Sequence, residues 1–572
     1  MNTMKKNLLR KKSGKESCLH FIPIGGVGEI GKNMYVIEYD DDIIVIDAGL
    51  KFADQSMPGI DFIVPDISYL EKNREKILGI ILTHGHEDHI GALTYVLPRL
   101  NVPIYGTSLT LGMVSQKFSD ELPNYNPILN EIHAGETVDI GPFKIRALSV
   151  THSIPDGVGI SIETPIGRIL HSGDFKFDST PIDNKLTDYA GFAEEGKNGV
   201  LLLLSDSTNA ERAGFTPSES IIGGTLERIF RLYKSRRIII SAFASNLHRV
   251  QQVINMAAHF NRKVIFLGRS MMRNTELAAS LGYLDIDKRT ITPPEEIDNI
   301  PDNQLVIMTT GSQGEPFSGL VLMSRGEHRS VKLGDYDVVL LLASAIPGNE
   351  KLVNNTINRL FDIGCEVIYE EHDKVHVSGH ASAEELKMML NIIKPKYFVP
   401  IHGESRHLYR HAKLAQETGV SNKNIFILQN GEVLSFDKKG KAQIKGKVNA
   451  GPVMINSNTF DQVLPSVFKE RLELGEEGIV IVSVTLNKQW ALVSKPIIVT
   501  RGFLLQDEQD DFIEEGVKLL EKLFKDVLKK SDFNINSLSK RVKMCIREHI
   551  RGRSQTSPVV LPIINFFEKN IT

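Results

Sequence analysis

The stretch ILTHGHEDHIGAL, Ile81 to Leu93, places three imidazoles and two carboxylates within six consecutive residues, directly behind an apolar run. Bringing so many titratable groups up to a buried strand is costly unless something binds them. If Leu78 to Leu82 is a strand and a helix begins near Asp88, the loop turns His84, His86, Asp88 and His89 towards one spot, with Glu87 pointing elsewhere. Imidazole with carboxylate suits Zn²⁺, and also Mn²⁺ where oxygen ligands dominate. A catalytic ion keeps an open position, so it takes few protein ligands. The plain alternative is a polar surface loop with chance histidines, and HxHxDH directly after an apolar run argues against it.

Other strand-like runs end in a metal-competent or acid/base side chain. DIIVID ends at Asp47, IRALSVTH at His152, RILHSGD at Asp174, VLLLLSD at Asp206, DKVHVSGH at His380 and YFVPIH at His402. Singly, each is more often a turn former or helix cap. Together with His84 they are expected to line one rim of a sheet.

Apolar runs such as LHFIPI, MYVIEY and LGIILTHG alternate with helical patterns, which is an α/β reading. The character changes around Ser218, where a second α/β unit begins and runs to about Ile368. AEELKMMLNIIKPKYFVPIHGES then returns to the first style, as an insertion of one domain into another would produce. The expected organisation is a basic flexible arm over 1–18, a first part over 19–217, an inserted domain over 218–370 and a return over 371–435. A linker over 436–458 and a small α+β domain over 459–572 complete it. GVGEIG, Gly26 to Gly31, matches GxGxxG, but the β-like KNMYVIEYDDDIIVID follows where a dinucleotide site needs a helix. Those glycines are expected to shape a strand-to-strand turn.

At 572 residues the chain can bury a sizeable core. Cys18, Cys365 and Cys545 lie far apart and form no CxxC, which fits reduced thiols in the cytoplasm. No apolar segment follows the basic N-terminus, so no secretory signal is expected, and no uncharged run reaches the ~18 apolar residues of a membrane span.

HGHEDH, SVTHSIPD, HSGDFKFD and FVPIHGE resemble the metallo-β-lactamase fold. The order with SDST, HVSGH and VPIHGE resembles its nucleic-acid-cleaving branch, in which a β-CASP domain is inserted. Within that branch, IPIGGVGEIGKN, VIDAGLKFAD, GSQGEP, IPGNE and HVSGHAS closely resemble the bacterial ribonuclease J family, over about Leu19 to Lys447. The resemblance implies an αββα sandwich with an inserted β-CASP α/β domain and a small C-terminal α+β domain. It implies two divalent ions, Zn²⁺ or Mn²⁺: one held by His84, His86 and His152, the other by Asp88, His89 and His402, with Asp174 bridging. It places Asp47 behind the ligands as an orienting group. His380 becomes the acid for the leaving 3′-oxygen, with Asp206 as its partner. His376, Val377, Ser378, Gly379 and His380 become the RNA phosphate-binding turn, part of a pocket for a 5′-monophosphate.

The expected activity is therefore 5′→3′ exonucleolytic cleavage of single-stranded RNA with some endonuclease action, in mRNA decay and ribosomal RNA maturation. Expected partners are RNA, further copies of the chain as a dimer or tetramer, and other RNA-decay proteins. With a net charge of -3, the RNA-facing charge must be local. Arg249, Arg269, Lys396 and Arg406 are candidates, and Phe243 is a candidate for base stacking. The rival readings are a non-catalytic RNA-binding paralogue, whose signature would be a broken HxHxDH, and a small-molecule metallo-hydrolase, which needs no long cleft.

Overall fold

Runs such as DIIVI and LLLSD are buried at nearly every position, so their strands must be covered on both faces. A computed structural model of the chain describes residues 17–567, except 55, 347, 371–373, 457–460, 505, 528–533 and 555. Residues 1–16 of the expected basic arm lie outside the described residues.

Two compact units result: the described residues of Met1–Asp54 and Phe62–Val453 form the first, and those of Gln55–Asp61 and Met454–Thr572 the second. In the first unit, an eight-stranded sheet is ordered Ala442–Lys447, Glu432–Phe436, Leu19–Gly25, Met34–Tyr39, Asp42–Ile46, Ile77–Ile81, Ile104–Gly106, Leu129–Glu131. A six-stranded sheet is ordered Thr137–Ile140, Phe143–Ser149, Val158–Glu163, Arg168–His171, Leu202–Asp206, Tyr397–Ile401. Their facing side chains, among them Phe21, Ile44, Ile46, Ile160, Leu202 and Val399, form one core. Leu170, Leu203 and Phe398 on the other face of the six-stranded sheet pack against helices Tyr189–Asn198, Ala383–Ile393 and Ser405–Glu417. Helix Ser108–Glu121 packs on strand Ile104–Gly106 of the other sheet. This is the αββα sandwich.

Leu202–Asp206 and Tyr397–Ile401 pair in parallel, Asp206 opposite Ile401, although residues 207–396 intervene. Much of that interval is a separate five-stranded parallel sheet, ordered Lys263–Leu267, Leu305–Thr309, Arg237–Ser241, Asp337–Leu341, Glu366–Ile368, with its own core of Ile239, Ile307, Val339 and Leu360.

The second unit contains a three-stranded sheet, Ile497–Arg501, Ile479–Leu486, Val559–Phe566. Helices Gln506–Val527 and Ile535–Arg551 contribute Phe512, Leu520, Val542 and Ile546 to its core with Val480, Val482 and Ile498. Two expectations change. The stretch 436–458, expected as a linker, contains strands Ala442–Lys447 and Pro452–Asn456: the first pairs through its backbone with Glu432–Phe436 at a sheet edge while its side chains stay largely exposed, and the second pairs with Asp461–Val463. DKVHVSGH does not form a strand: its described residues, from Lys374, approach His380 in irregular backbone. Among the described residues no helix is long and apolar enough to cross a membrane, and the three cysteines are free.

Candidate metal centre

Strand Ile77–Ile81 delivers the loop of His84, and helix Glu87–Ile90 opens immediately after His86, so Asp88 and His89 project from its first turn. Glu87 turns outward to Lys117 at 2.9 Å. Gly49 packs so closely under this turn that an added Cβ would lie 1.6 Å from the Asp88 carbonyl oxygen. Only glycine lets strand Asp42–Ile46 and the helix meet this closely. The glycine-rich turn after Leu19–Gly25 runs into strand Met34–Tyr39, without a helix, and anchors the opposite wall. Val27–Gly28 pairs with Gly403–Glu404, and Gly26 O accepts from His402 N at 2.7 Å. His402 itself has φ +52°, a left-handed backbone held by that pairing.

Two clusters converge. His84 Nε2 and His152 Nε2 lie 3.0 and 3.2 Å from His86 Nδ1. Asp174 Oδ2 lies 3.2 Å from His89 Nε2 and 3.1 Å from His402 Nε2, and Asp88 Oδ2 lies 3.5 and 3.2 Å from the same two nitrogens. Asp174 Oδ2 is also 3.9 Å from both His84 Nε2 and His152 Nε2, so it stands between the clusters. A cation bound at about 2.0–2.1 Å sets its ligand atoms roughly 3.0–3.4 Å apart, and most separations within each cluster fall there, Asp88 to His89 being slightly longer at 3.5 Å. His402 Nε2 makes no hydrogen bond of acceptable direction, although two carboxylate oxygens lie beside it. That is the geometry of neighbouring ligands on an ion, and the donor set fits.

Outer hydrogen bonds fix which nitrogen faces inward for His84, His89, His152 and His402. His152 Nδ1–H donates to Gly379 O at 2.8 Å, leaving Nε2 bare. A Cβ on Gly379 would lie 2.7 Å from that ring, so glycine is required there. Asp47, at φ +60°, accepts from His89 Nδ1 at 2.7 Å and from the Thr83 hydroxyl at 2.9 Å. With its O–H directed at Asp47, Thr83 Oγ1 accepts from His84 Nδ1–H at 3.1 Å. One carboxylate therefore orients an imidazole in each cluster. Thr208 Oγ1 meets His402 Nδ1 at 3.1 Å, and Asn33 Nδ2 donates to Asp88 O at 3.0 Å.

Burial, reinforced by neighbouring imidazoles, pushes His84 and His152 well below the usual histidine range. Burial likewise brings His86 down to about 4. At neutral pH these three rings are uncharged and offer lone pairs. In the other cluster burial opposes charge, but the Asp174 and Asp88 carboxylates hold His89 well above the ordinary value, and Asp174 does the same for His402. Against that same burial, His89 and His402 keep Asp88 and Asp174 ionised. A dication entering there replaces protons.

His380 Nδ1 lies 2.8 Å from Asp206 Oδ2 and 3.9 Å from Asp174 Oδ2. Although burial disfavours the charge, Asp206 raises the His380 pKa. Asn209, which the sequence did not single out, donates from Nδ2 to Ser378 Oγ at 2.8 Å and to His380 O at 3.0 Å. Having accepted, Ser378 retains its own proton to donate. Of the expected RNA contacts, Arg249 is fully buried against Glu219 and faces no solvent, so it is not an RNA contact. Arg406 is exposed but paired with Glu404 and Glu211, and Lys396 donates to Gly440 O. Asn33, Thr83, Thr208 and Asn209 were missed because a single polar residue carries no periodicity. Their signal was adjacency to GKN, THGH and SDST.

Fold and centre together define a metal-dependent hydrolase of metallo-β-lactamase architecture with an inserted α/β domain. Comparisons with known proteins make the definition narrower. Residues 27–213 match the metallo-beta-lactamase superfamily and 235–360 the ribonuclease J beta-CASP domain. Residues 366–428 match a Zn-dependent metallo-hydrolase RNA specificity domain, and 466–566 the ribonuclease J C-terminal domain, which carries the likeness beyond Lys447. Ribonuclease J2 of Bacillus subtilis is 39% identical, covering 97% of this chain and 99% of that protein. Ribonuclease J 1 of Streptococcus pyogenes is 38% identical (95% and 96%), and ribonuclease J of Helicobacter pylori 40% identical (94% and 77%). A crystal structure of a protein of unknown function from Enterococcus faecalis shares the fold at a TM-score of 0.52 and 16% identity, covering 74% of this chain and all of that one. The chain belongs to the ribonuclease J family: a hydrolytic, divalent-metal-dependent ribonuclease that binds RNA.

Proposed function

We propose that the chain removes nucleotides from the 5′ end of single-stranded RNA, prefers a 5′-monophosphate, and also cuts internally. The observation that carries this reading is the paired clusters joined by Asp174 beside the Ser378–His380 turn. His84, His86 and His152 would hold one divalent ion and Asp88, His89 and His402 the other, with Asp174 shared; Zn²⁺ suits the imidazole-rich set and Mn²⁺ is the alternative. Bound ions supply an activated water and neutralise phosphate charge.

The protein's own groups do the rest. Asp47 and Thr83 hold the ligand rings in their tautomers. The Ser378 hydroxyl and the backbone of Gly379 and His380 receive phosphate oxygens. Hydrolysis joins water to phosphorus and breaks the bond to the 3′-oxygen, to which His380, held by Asp206, gives a proton. Each cut leaves a new 5′-monophosphate on the shortened RNA, which is the end the next cycle needs.

We place this activity in the cytoplasm, in mRNA decay and ribosomal RNA maturation, with the chain as a homodimer or homotetramer, alone or with other RNA-decay proteins. RNA labelled at either end, bearing a 5′-monophosphate or 5′-triphosphate and supplied with Mn²⁺ or Zn²⁺, tests the reading alongside His86→Ala. Early release of 5′-labelled mononucleotide from the monophosphate substrate, lost in the variant, is expected. Internal fragments alone would leave an endonuclease, and no cleavage would favour a non-catalytic RNA-binding partner. Light scattering on the purified chain measures the assembly.

A further inference from the structure

Helix Ile535–Arg551 is amphipathic in charge as well as hydropathy. Leu538, Val542, Ile546 and Ile550 are buried in the core of the second unit. Lys540, Lys543, Arg547 and Arg551 recur at intervals of three and four, which puts them along one stripe. Lys540, Arg547 and Arg551 are exposed, Lys543 is half-buried, and none of the four makes an ion pair among the described residues. Its neighbour Gln506–Val527 opens instead on Asp510, Asp511, Glu514 and Glu515, and Arg553 pairs with Glu515. The acidic opening of Gln506–Val527 thus contrasts with the mainly basic Ile535–Arg551, although the first helix also carries Lys518, Lys522 and Lys525 and the second Glu548. At the end of the basic stripe a cavity of about 170 Å³ is lined by Arg547, Arg551, Thr556 and Ser557. Carboxylates stand close by: Glu477 accepts from Ser557 N at 2.8 Å, and the exposed Glu548 follows Arg547 on the helix. Guanidinium forks beside hydroxyls in a concave site match a phosphodiester oxygen pair better than a point cation would.

We propose that this stripe and cavity form a second RNA-backbone site, outside the metal centre, that holds the body of long substrates. The inference rests on the ribonuclease reading. It needs no base contacts, so it is independent of sequence. The test compares Arg547→Ala/Arg551→Ala with the parent chain. Both are placed in a His86→Ala background, and fluorescence anisotropy follows binding of an unstructured 30-nucleotide 5′-monophosphorylated RNA over a salt series. The double variant is expected to bind about tenfold more weakly and to lose roughly 1.4 from the salt slope, at ~0.7 per single-strand phosphate. With His86 restored, the KM for long RNA should rise while cleavage of a tetranucleotide is unchanged. Equal affinity and equal slope would overturn the proposal. If even the parent chain neither binds nor cuts RNA, the ribonuclease reading fails instead.

A separate observation carries a second inference. Arg249 is wholly buried, and its Nε and Nη2 donate to Glu219 Oε1 at 2.9 and 2.6 Å. Its Nη1 donates to Leu342 O, at the end of strand Asp337–Leu341, and lies 3.3 Å from His376 Nδ1. Glu219 N donates to Asp178, which pairs at 3.3 Å with the buried Lys176, two residues beyond Asp174. One guanidinium thus ties the segment entering the inserted domain, its central sheet, and the first residue of the His376–His380 turn.

We infer that Arg249 is a positioning residue for that turn. Arg249→Met is expected to raise the KM for 5′-monophosphorylated RNA about tenfold, with a smaller change in kcat. Metal content should be unchanged, and amide exchange should quicken over residues 374–380. Arg249→Lys, which keeps the charge, should recover part of the KM and serves if the Met variant does not fold. A fall in Tm with unchanged KM and unchanged exchange in either variant would reduce Arg249 to a structural role.

Discussion

The two clusters of the metal centre solve the same problem differently. His84, His86 and His152 wait as three neutral rings, emptied of protons by burial. Asp88, His89, Asp174 and His402 wait as a compensated set of opposite charges. The first presents lone pairs and gains a charge when an ion arrives; the second exchanges protons for it. Asp174 and Asp47 reach into both, one from inside and one from behind.

That contrast orders the expected effects of substitution. Asp174→Ala removes the shared carboxylate and leaves His89 and His402 without their counter-charge. Metal measured by plasma mass spectrometry is expected to fall at both clusters and cleavage to disappear. Next is His86→Ala, which deletes one neutral ring: about one equivalent of metal should be lost and one retained. Activity should drop by more than the ~10–100-fold typical of losing an outer hydrogen-bond partner. Asp47→Asn keeps every ligand but weakens the hold on His89 and, through Thr83, on His84. Metal affinity in a chelator competition should fall about 10–100-fold. If only one equivalent weakens, the coupling through Thr83 is broken as an idea. Thr208→Val, smallest, removes one hydrogen bond at His402, worth about 1 kcal/mol, and should cost only severalfold in affinity, confined to the second cluster.

Much of this centre was legible because the chain writes it at strand ends. Asp47, His84, Asp206 and His402 each close or follow a short, continuous apolar run, the mark of a strand covered on both faces. His380 is different: its approach is irregular backbone, and it reaches Asp206 only because Asn209 and Thr216 hold the 380 carbonyl. Nothing periodic announces that. Arg249 misled for a related reason, since sequence shows a charge but not the Glu219 that buries with it. The strand Ala442–Lys447 was hidden because five lysines around it read as solvent, and its side chains are indeed largely exposed; backbone pairing with Glu432–Phe436 is what makes it an edge strand.

The parallel seam between Leu202–Asp206 and Tyr397–Ile401 also has a consequence in time. As the chain emerges from a ribosome, His84, His86 and His152 are present early and can gather within a local stretch. His380 and His402 appear only after the whole inserted domain has been made, and the seam closes around a finished domain. On the proposed reading, a half-made chain carries His84, His86 and His152 but has neither the proton donor His380 nor His402 of the second cluster. Cleavage of RNA is then expected only from chains that have been translated past His402.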